Sequence, residues 1–144
     1  MCIRDRPNTP AEIREGITGV IKSNSVTSSD VKLAEKVFNS LGSTLWINDE
    51  KLMDAVTAIS GSGPAYIFYI AETLILAARK AGLSKKSANL LVSHMIKGSG
   101  SLLIKTTKTI AELREEVTSP GGTTEAAIKA VSYTHLTLPT ILLV

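Results

Sequence analysis

The sequence predicts a mostly α-helical fold with one or two short strands near its start. Three observations indicate this. From residue 27 onward, apolar residues recur at spacings of three and four, as on one face of an amphipathic helix. Hydroxyl or amide residues precede several of these segments, where helix N-caps are expected. Only around Gly16–Ile21 do apolar residues alternate in the way that favours a strand.

Composition limits the functions that this chain can have. With 144 residues, a formal charge of +3 and one cysteine, it is about one domain. Basic and acidic residues are interleaved, which argues against a nucleic-acid partner. Cys2 alone forms no internal disulfide and no metal cluster, so we expect no metal and a reducing cytoplasm. The apolar segment 64–78 carries Glu72 and is short for a membrane span, and no secretory signal is visible.

Both ends depart from this pattern. Residues 1–6 show neither a helical nor a strand period, and residues 132–144 change abruptly from an Ala/Lys/Glu helix to a different composition. Both resemble translated sequencing-adapter sequence, so we leave them out of the fold prediction. Cys2 and His135 then carry no function. We expect the authentic segment to span about Pro7 to Val131 and to be truncated on both sides.

The elements follow in order along the chain. Residues 7–10 form a rigid loop, because each proline disfavours helix in the residue before it. A strand follows around Gly16–Ile21 and a second over 44–47. The predicted helices cover 30–41, 49–59, 64–81, 85–105, 109–117 and 125–131.

Local signals set the predicted helix ends. Gly42 and Gly82 stand where a C′ glycine is expected. Ser84 and Asn48 are expected N-caps, and Thr109 with Glu112 matches a capping box. The apolar stripe of the helix 30–41 is Val31, Ala34, Phe38 and Leu41, and that of the helix 49–59 is Leu52, Val56 and Ile59. The helix 64–81 is apolar on nearly every side. Since a helix without a polar face needs cover on all sides, the last of these implies a partner chain.

The most informative segment is the loop Val117–Thr124. It joins a proline and two glycines to several hydroxyl residues, directly before a helix. Such a loop can present unpaired N–H groups, the positive end of a helix dipole and O–H donors to a carboxylate or phosphate. It is also compatible with a tight turn and a threonine N-cap, which is the commoner role of such residues. The residues alone leave both interpretations open.

Other candidates for chemistry are weaker. Gly61-Ser62-Gly63 matches half of a dinucleotide fingerprint, but no strand precedes it, so a packing loop is the better interpretation. The hydroxyl of Thr57 can point into a site or bond a backbone carbonyl. His94 lies mid-helix with no second ligand at metal spacing, which indicates a structural histidine. From the residues alone we expect a helical, dimeric domain with one anion-binding loop.

Several motifs together resemble the Δ1-pyrroline-5-carboxylate reductase family in order and spacing. They are Pro-Asn-Thr-Pro at 7–10, Arg-Glu-Gly at 14–16, Asp-Ala-Val-Thr at 54–57, Ser-Gly-Ser-Gly-Pro-Ala-Tyr at 60–66, Ala-Gly-Leu at 81–83 and Val-Thr-Ser-Pro-Gly-Gly-Thr-Thr at 117–124. The resemblance covers about residues 7–131. It implies a two-domain reductase with a Rossmann domain and a helical dimerisation domain, which reduces pyrroline-5-carboxylate to L-proline with NADPH or NADH. It further implies a homodimer or a larger homo-oligomer.

The resemblance also implies domain bounds and residue roles. Residues 7–47 would end the dinucleotide-binding domain and 48–131 would form the helical domain. Thr57 would lie beside the reacting imine, and Asn8 and Thr9 near the nicotinamide. The segment Gly61–Gly63 would line the site. The substrate carboxylate would be held by Ser119, Gly121, Gly122, Thr123 and Thr124, through the hydroxyls of Ser119 and Thr124 and the amides of Thr123 and Thr124.

This chain departs from the family pattern at both ends. Most of the Rossmann domain is absent, and the family's long helix after Val131 is replaced by the unusual tail. We therefore expect the reaction to belong to the parent protein and this chain alone to be inactive. The alternatives are a non-catalytic helical dimerisation or anion-binding module, and a related imine or hydroxyacid dehydrogenase.

Overall fold

The structure, a computed structural model, describes residues 3–132. Their contacts divide the chain into two units after Ile70, inside helix α3 (Gly63–Lys80). Before α3 come β1 (Ile3–Arg6), β2 (Gly16–Lys22), α1 (Ser28–Asn39), β3 (Gly42–Trp46) and α2 (Met53–Val56). After α3 come α4 (Lys85–Lys105), α5 (Ile110–Glu116) and α6 (Thr123–Ser132). The prediction of a mostly α fold with a few short early strands is confirmed.

The first unit contains a three-stranded sheet with β2 in the middle. β2 pairs antiparallel with β1, so that Arg6 lies opposite Gly19, and parallel with β3, so that Gly19 also lies opposite Leu45. Parallel neighbours need a crossover, and α1 provides it and packs against β3. Both predicted strands are therefore confirmed.

The strand β1 lies where no element was predicted. Residues Ile3–Arg6 lack a strand period, yet they pair with Gly19–Lys22 of β2. The expectation that residues 1–6 contribute nothing to the fold is wrong for these four residues. Ser132, also set aside, is the last residue of α6. His135 and the rest of 133–144, like Cys2, lie outside the described residues.

The predicted helix 49–59 is not a single α-helix. It is a 3-10 turn at Glu50–Leu52, then α2, then a π-helical turn at Thr57–Gly61. Leu52 and Ile59, predicted to face inward, are exposed, whereas Met53 and Ala58 are buried. The three helix types have different numbers of residues per turn, so a stripe drawn at the α-helical period loses register.

Three of the predicted end signals are also shifted by one or two residues. Gly42 begins β3, because α1 already ends at Asn39. Asp49, not Asn48, caps the turn that follows it by accepting a hydrogen bond from the Lys51 amide at 3.0 Å. Helix α6 starts at Thr123, two residues before the predicted Glu125.

Local signals correctly identified the residues that end α3 and begin α4. Gly82 has φ +101° and closes α3 through two bonds, from its own amide to Arg79 O and from the Leu83 amide to Ala78 O. This is the Schellman motif, which glycine favours because it has no Cβ. Ser84 then caps α4 by accepting from the Ser87 amide at 3.1 Å. The bounds of α4 agree with the prediction at both ends.

Two capping boxes fix the starts of α1 and α5. Thr27 pairs with Asp30, and Thr109 with Glu112, each through side-chain and backbone bonds in both directions. The hydroxyl of Thr27 donates to the Asp30 carboxylate and is the main cause of a lowered Asp30 pKa, and the Thr27 amide adds a smaller lowering. For Glu112, the hydrogen bond from the Thr109 amide is the main cause of the lowered pKa, and the bond from the Thr109 hydroxyl adds a smaller lowering. Both carboxylates are thus favoured in their charged form by the folded chain.

These lowered pKa values predict a loss of stability in acid. The contribution of each carboxylate is complete above its unfolded pKa of about 4 and disappears as the pH falls through the lower folded value. We expect Glu112→Gln to be less stable than the wild type near neutral pH, and this difference to shrink below roughly pH 4. Urea unfolding across this range measures it. Glu12→Gln is the control, and an equal pH dependence in both variants would contradict the assignment.

Candidate functional site

The predicted anion loop connects α5 to α6 and is open to solvent. Ser119, Gly121 and Thr123 are exposed, and Gly122 and Thr124 are half-buried. The loop begins where Thr118 turns back, its hydroxyl donating to Arg114 O at 2.6 Å. No large side chain of the loop covers it, so its polar groups can meet a ligand.

The start of α6 has backbone donors to spare. Its first helical bond runs from the Ala126 amide to Gly122 O at 3.3 Å, so Gly122 is the N-cap residue and has no side chain to cap with. Within residues 3–132, the amides of Thr123 and Thr124 donate to no protein acceptor, nor do the hydroxyls of Ser119 and Thr124 make a bond. These are the four groups that the sequence analysis assigned to a carboxylate.

The two glycines of the loop have a different role from the threonines. The Gly122 amide donates to Ser119 O at 3.0 Å, and the Gly121 amide donates to a Glu125 carboxylate oxygen at 2.6 Å. Gly121 has φ +70°, a conformation that glycine adopts without strain. Both amides are engaged inside the turn. The glycines therefore shape the loop, and their amides are not open to a ligand.

Sequence reasoning missed Glu125. It stands three residues after the N-cap Gly122, which is the spacing of a capping-box acid, and that spacing was the available signal. Its carboxylate reaches one residue further back than the usual box, to Gly121. The Gly121 amide therefore has its hydrogen-bond acceptor within the chain. The amides of Thr123 and Thr124 remain as the open donors.

The first unit holds the other predicted site residues. The side-chain oxygen of Asn8 accepts a bond from the Ile17 amide at 2.9 Å, which ties the loop 7–10 to β2. Thr9 is exposed and begins a 3-10 turn, Thr9–Ile13. Asn8 can therefore offer its N–H₂ donors and one remaining acceptor position on its side-chain oxygen to a ligand.

Thr57 is half-buried and its hydroxyl has defined bonds. It donates to Met53 O at 2.8 Å and accepts from the Arg6 Nε–H at 3.1 Å. Thr57 also opens the π-helical turn, since its carbonyl accepts from the Ser62 amide at 2.8 Å. With its proton directed to Met53 and one lone pair held by Arg6, the hydroxyl has one acceptor position left.

The remaining candidates add no further chemistry. His94 is exposed and shares a 3.0 Å contact between Nδ1 and Leu90 O on its own helix. Among the residues that the structure describes, no three histidine, cysteine or acidic side chains are grouped as metal ligands. Over the same range, no helix combines the length and the apolar character needed to cross a bilayer.

Comparison with known proteins identifies the family. A family model described as "Pyrroline-5-carboxylate reductase dimerisation" matches residues 50–138. This match reaches into the segment 132–144 that the sequence analysis set aside. A pyrroline-5-carboxylate reductase of Pseudomonas aeruginosa is 41% identical over 128 residues, which cover 89% of this chain and 47% of that protein.

Two solved structures share the fold. A pyrroline-5-carboxylate reductase from Coxiella burnetii superposes with a TM-score of 0.86 at 40% identity, over 92% of this chain and 49% of that one. The Plasmodium falciparum pyrroline carboxylate reductase, solved with NADP bound, gives 0.84 at 37% identity, over 92% and 54%. The chain spans about half the length of the curated relatives that it matches. Since the family model alone covers more than half of the 144 residues, the chain belongs to the pyrroline-5-carboxylate reductase family.

Proposed function

We propose that the complete protein reduces L-1-pyrroline-5-carboxylate to L-proline with NADPH or NADH, the last step of proline synthesis. The observation that carries this is the open donor set before α6. Within residues 3–132 these two amides and two hydroxyls have no protein partner, and such a set suits a small ligand with a carboxylate group. The relatives bear the reductase name, and one neighbour was solved with NADP.

In this proposal the loop binds the substrate carboxylate. The amides of Thr123 and Thr124 stand at the positive end of the α6 dipole, and the Ser119 and Thr124 hydroxyls donate from the side. Such charge-assisted bonds are stronger than neutral ones. Glu125 keeps the Gly121 amide out of this set, so the carboxylate is directed to the threonines.

The hydroxyl of Thr57 is arranged to bind a protonated imine. Because its own proton points to Met53 O, Thr57 can accept a bond but has none to donate. A protonated cyclic imine carries an N–H donor and a carbon ready for hydride. Acceptance of that N–H would favour the cationic imine, whereas the Arg6 guanidinium on the same hydroxyl would oppose a second positive charge, so the bond would serve to orient the imine. Thr57 is the candidate catalytic residue in this sense.

The cofactor supplies the hydride, and this chain supplies the position. Hydride added to the imine carbon and one proton on nitrogen give proline and the oxidised cofactor. Asn8 and Thr9 would contact the nicotinamide end, with the N–H₂ of Asn8 as donor, since one acceptor position of its oxygen is taken by the Ile17 amide. No strong general base is required, because the imine is protonated before it reacts.

The proposal also covers the domain organisation, the assembly and the cellular location of the protein. Residues 7–47 would belong to the end of the dinucleotide-binding domain and 48–131 to the helical domain. The active protein would be a homodimer or a larger homo-oligomer in the cytoplasm. The family model's description as a dimerisation domain supports self-association.

The test supplies the missing half of the protein. A chimaera joins the cofactor-binding domain of the Pseudomonas aeruginosa relative to residues 3–132 of this chain. We expect oxidation of NADPH that depends on pyrroline-5-carboxylate, with L-proline as product. The intact Pseudomonas protein is the positive control. A folded chimaera that binds NADPH yet reduces no imine would favour the non-catalytic module, and one that reduces only other imines or oxo acids would favour the related dehydrogenase.

A further inference from the structure

Gly19 lies in the central strand β2 where Val56 of helix α2 packs against that strand. It is buried in β2, and a Cβ atom built there would stand 2.5 Å from Val56 Cγ1 and 3.6 Å from Val56 Cβ. Real Cβ atoms essentially never approach another atom that closely. Val56 therefore packs on the backbone of β2 at a distance that any other residue at position 19 would forbid.

Val56 has little freedom to move aside. It is the last residue of α2, and a β-branched side chain in a helix has one strongly preferred rotamer. The residues on either side of it in this segment, Met53 and Ala58, are buried at 0% and 8% exposure. A methyl group at position 19 must therefore displace the segment as a whole.

The displaced segment is the one that carries Thr57. Thr57 follows Val56 directly, and its hydroxyl is bonded to Met53 O and to Arg6 Nε. Arg6 in turn lies opposite Gly19 in the sheet. The contacts therefore form a ring: Gly19 lies against Val56, Thr57 follows Val56 and is bonded to Arg6, and Arg6 lies opposite Gly19. The space left by the missing side chain of glycine sets the distance between β1 and the Thr57 hydroxyl.

We propose that Gly19 is a positioning residue for Thr57: its missing side chain lets Val56 seat on β2 and thereby fixes where the Thr57 hydroxyl meets its partners. The importance of that position for the reaction rests on the proposed function. The positioning itself does not, because it concerns only contacts within residues 3–70.

The first experiment uses the whole 144-residue chain and nuclear magnetic resonance. The hydrogen bond from the Arg6 Nε–H to the Thr57 hydroxyl reports the position of Thr57, and the solvent-exchange rate of the Arg6 Hε proton measures this contact. We expect Gly19→Ala to abolish or strongly weaken this contact. The matched control is Gly63→Ala, since a Cβ at Gly63 would meet nothing within 4 Å. A folded Gly19→Ala chain with the wild-type contact would overturn the proposal.

A double variant covers the case in which Gly19→Ala does not fold. In Val56→Ala the Cγ1 atom that clashes is gone, so Gly19→Ala on that background should fold and keep the contact between Arg6 and Thr57. If the double variant is also unfolded, or folds with Thr57 still displaced, then the close approach of Val56 is not the reason why position 19 requires glycine. Either result overturns the proposal.

The chimaera then separates positioning from general damage. Displacement of a reacting group by about 1 Å costs up to about 100-fold in rate. We expect Gly19→Ala to lower kcat by about 10- to 100-fold while the KM values for NADPH and for the imine stay near those of the parent. Val56→Ala should recover most of the loss. If the parent chimaera folds and binds NADPH but is inactive, the proposed function fails, and the resonance experiment still decides the role of Gly19.

Discussion

Thr124→Ala in the chimaera is expected to raise the KM for pyrroline-5-carboxylate by about 10- to 150-fold, with a smaller change in kcat. The substitution removes a hydroxyl that would donate to the substrate carboxylate, and a hydrogen bond to a charged group contributes about 1.5–3 kcal/mol. Thr124 is half-buried and makes no side-chain bond within the described residues, so removal of its hydroxyl leaves no protein group unsatisfied. Initial rates against substrate concentration give both constants.

The neighbouring threonine provides a matched control. Thr123 is exposed, and only its backbone amide is assigned to the carboxylate. Thr123→Ala keeps that amide and a good helix-forming residue, so we expect it to leave KM within about twofold of the parent. An unchanged KM in Thr124→Ala would remove the hydroxyl from the site. Equal effects of the two substitutions would indicate damage to the start of α6 rather than loss of a specific bond.

Features set by neighbouring residues were predictable from the sequence. The capping box of Thr109 with Glu112, the cap Ser84 and the terminating Gly82 were all read correctly, because each depends on bonds between residues only three to five apart. Of the predicted stripe of α1, Val31, Ala34 and Phe38 are half-buried, whereas Leu41 is exposed. The start of α6 was predicted less well, since its N-cap is Gly122 rather than a threonine and the bond from the Gly121 amide to Glu125 was missed.

Features set by distant residues were not predictable. Ile3–Arg6 becomes a strand only through its pairing with β2, and strand preference depends strongly on such context. The π-helical turn at Thr57 is likewise invisible to an α-helical period. The need for glycine at position 19 arises from Val56, which is 37 positions away in the printed sequence. The sequence left open whether the Thr57 hydroxyl points into a site or donates to a backbone carbonyl, and the structure shows the bond to Met53 O.

The 144-residue chain is expected to self-associate, and Phe68→Asp to weaken this by about 30-fold or more. Helix α3 has seven large apolar side chains exposed, and Phe68 is 62% exposed. Monomeric soluble proteins rarely leave such surfaces uncovered. A buried aromatic residue in an interface often contributes 2 kcal/mol or more, about 30-fold in Kd, and a carboxylate in its place would also have to be desolvated.

Sedimentation equilibrium over a range of concentrations measures this dissociation constant, and circular dichroism checks that the variant keeps its helices. Lys32→Asp is the control, because it adds the same carboxylate at an exposed position of α1, which is a different helix from α3. A wild-type chain that stays monomeric at every concentration would contradict the interpretation of α3 as an interface. If the wild type dimerises and Phe68→Asp does so equally well, the interface exists but lies on another surface, and the exposed residues of α4, among them Leu90 and Leu102, would be the next to test.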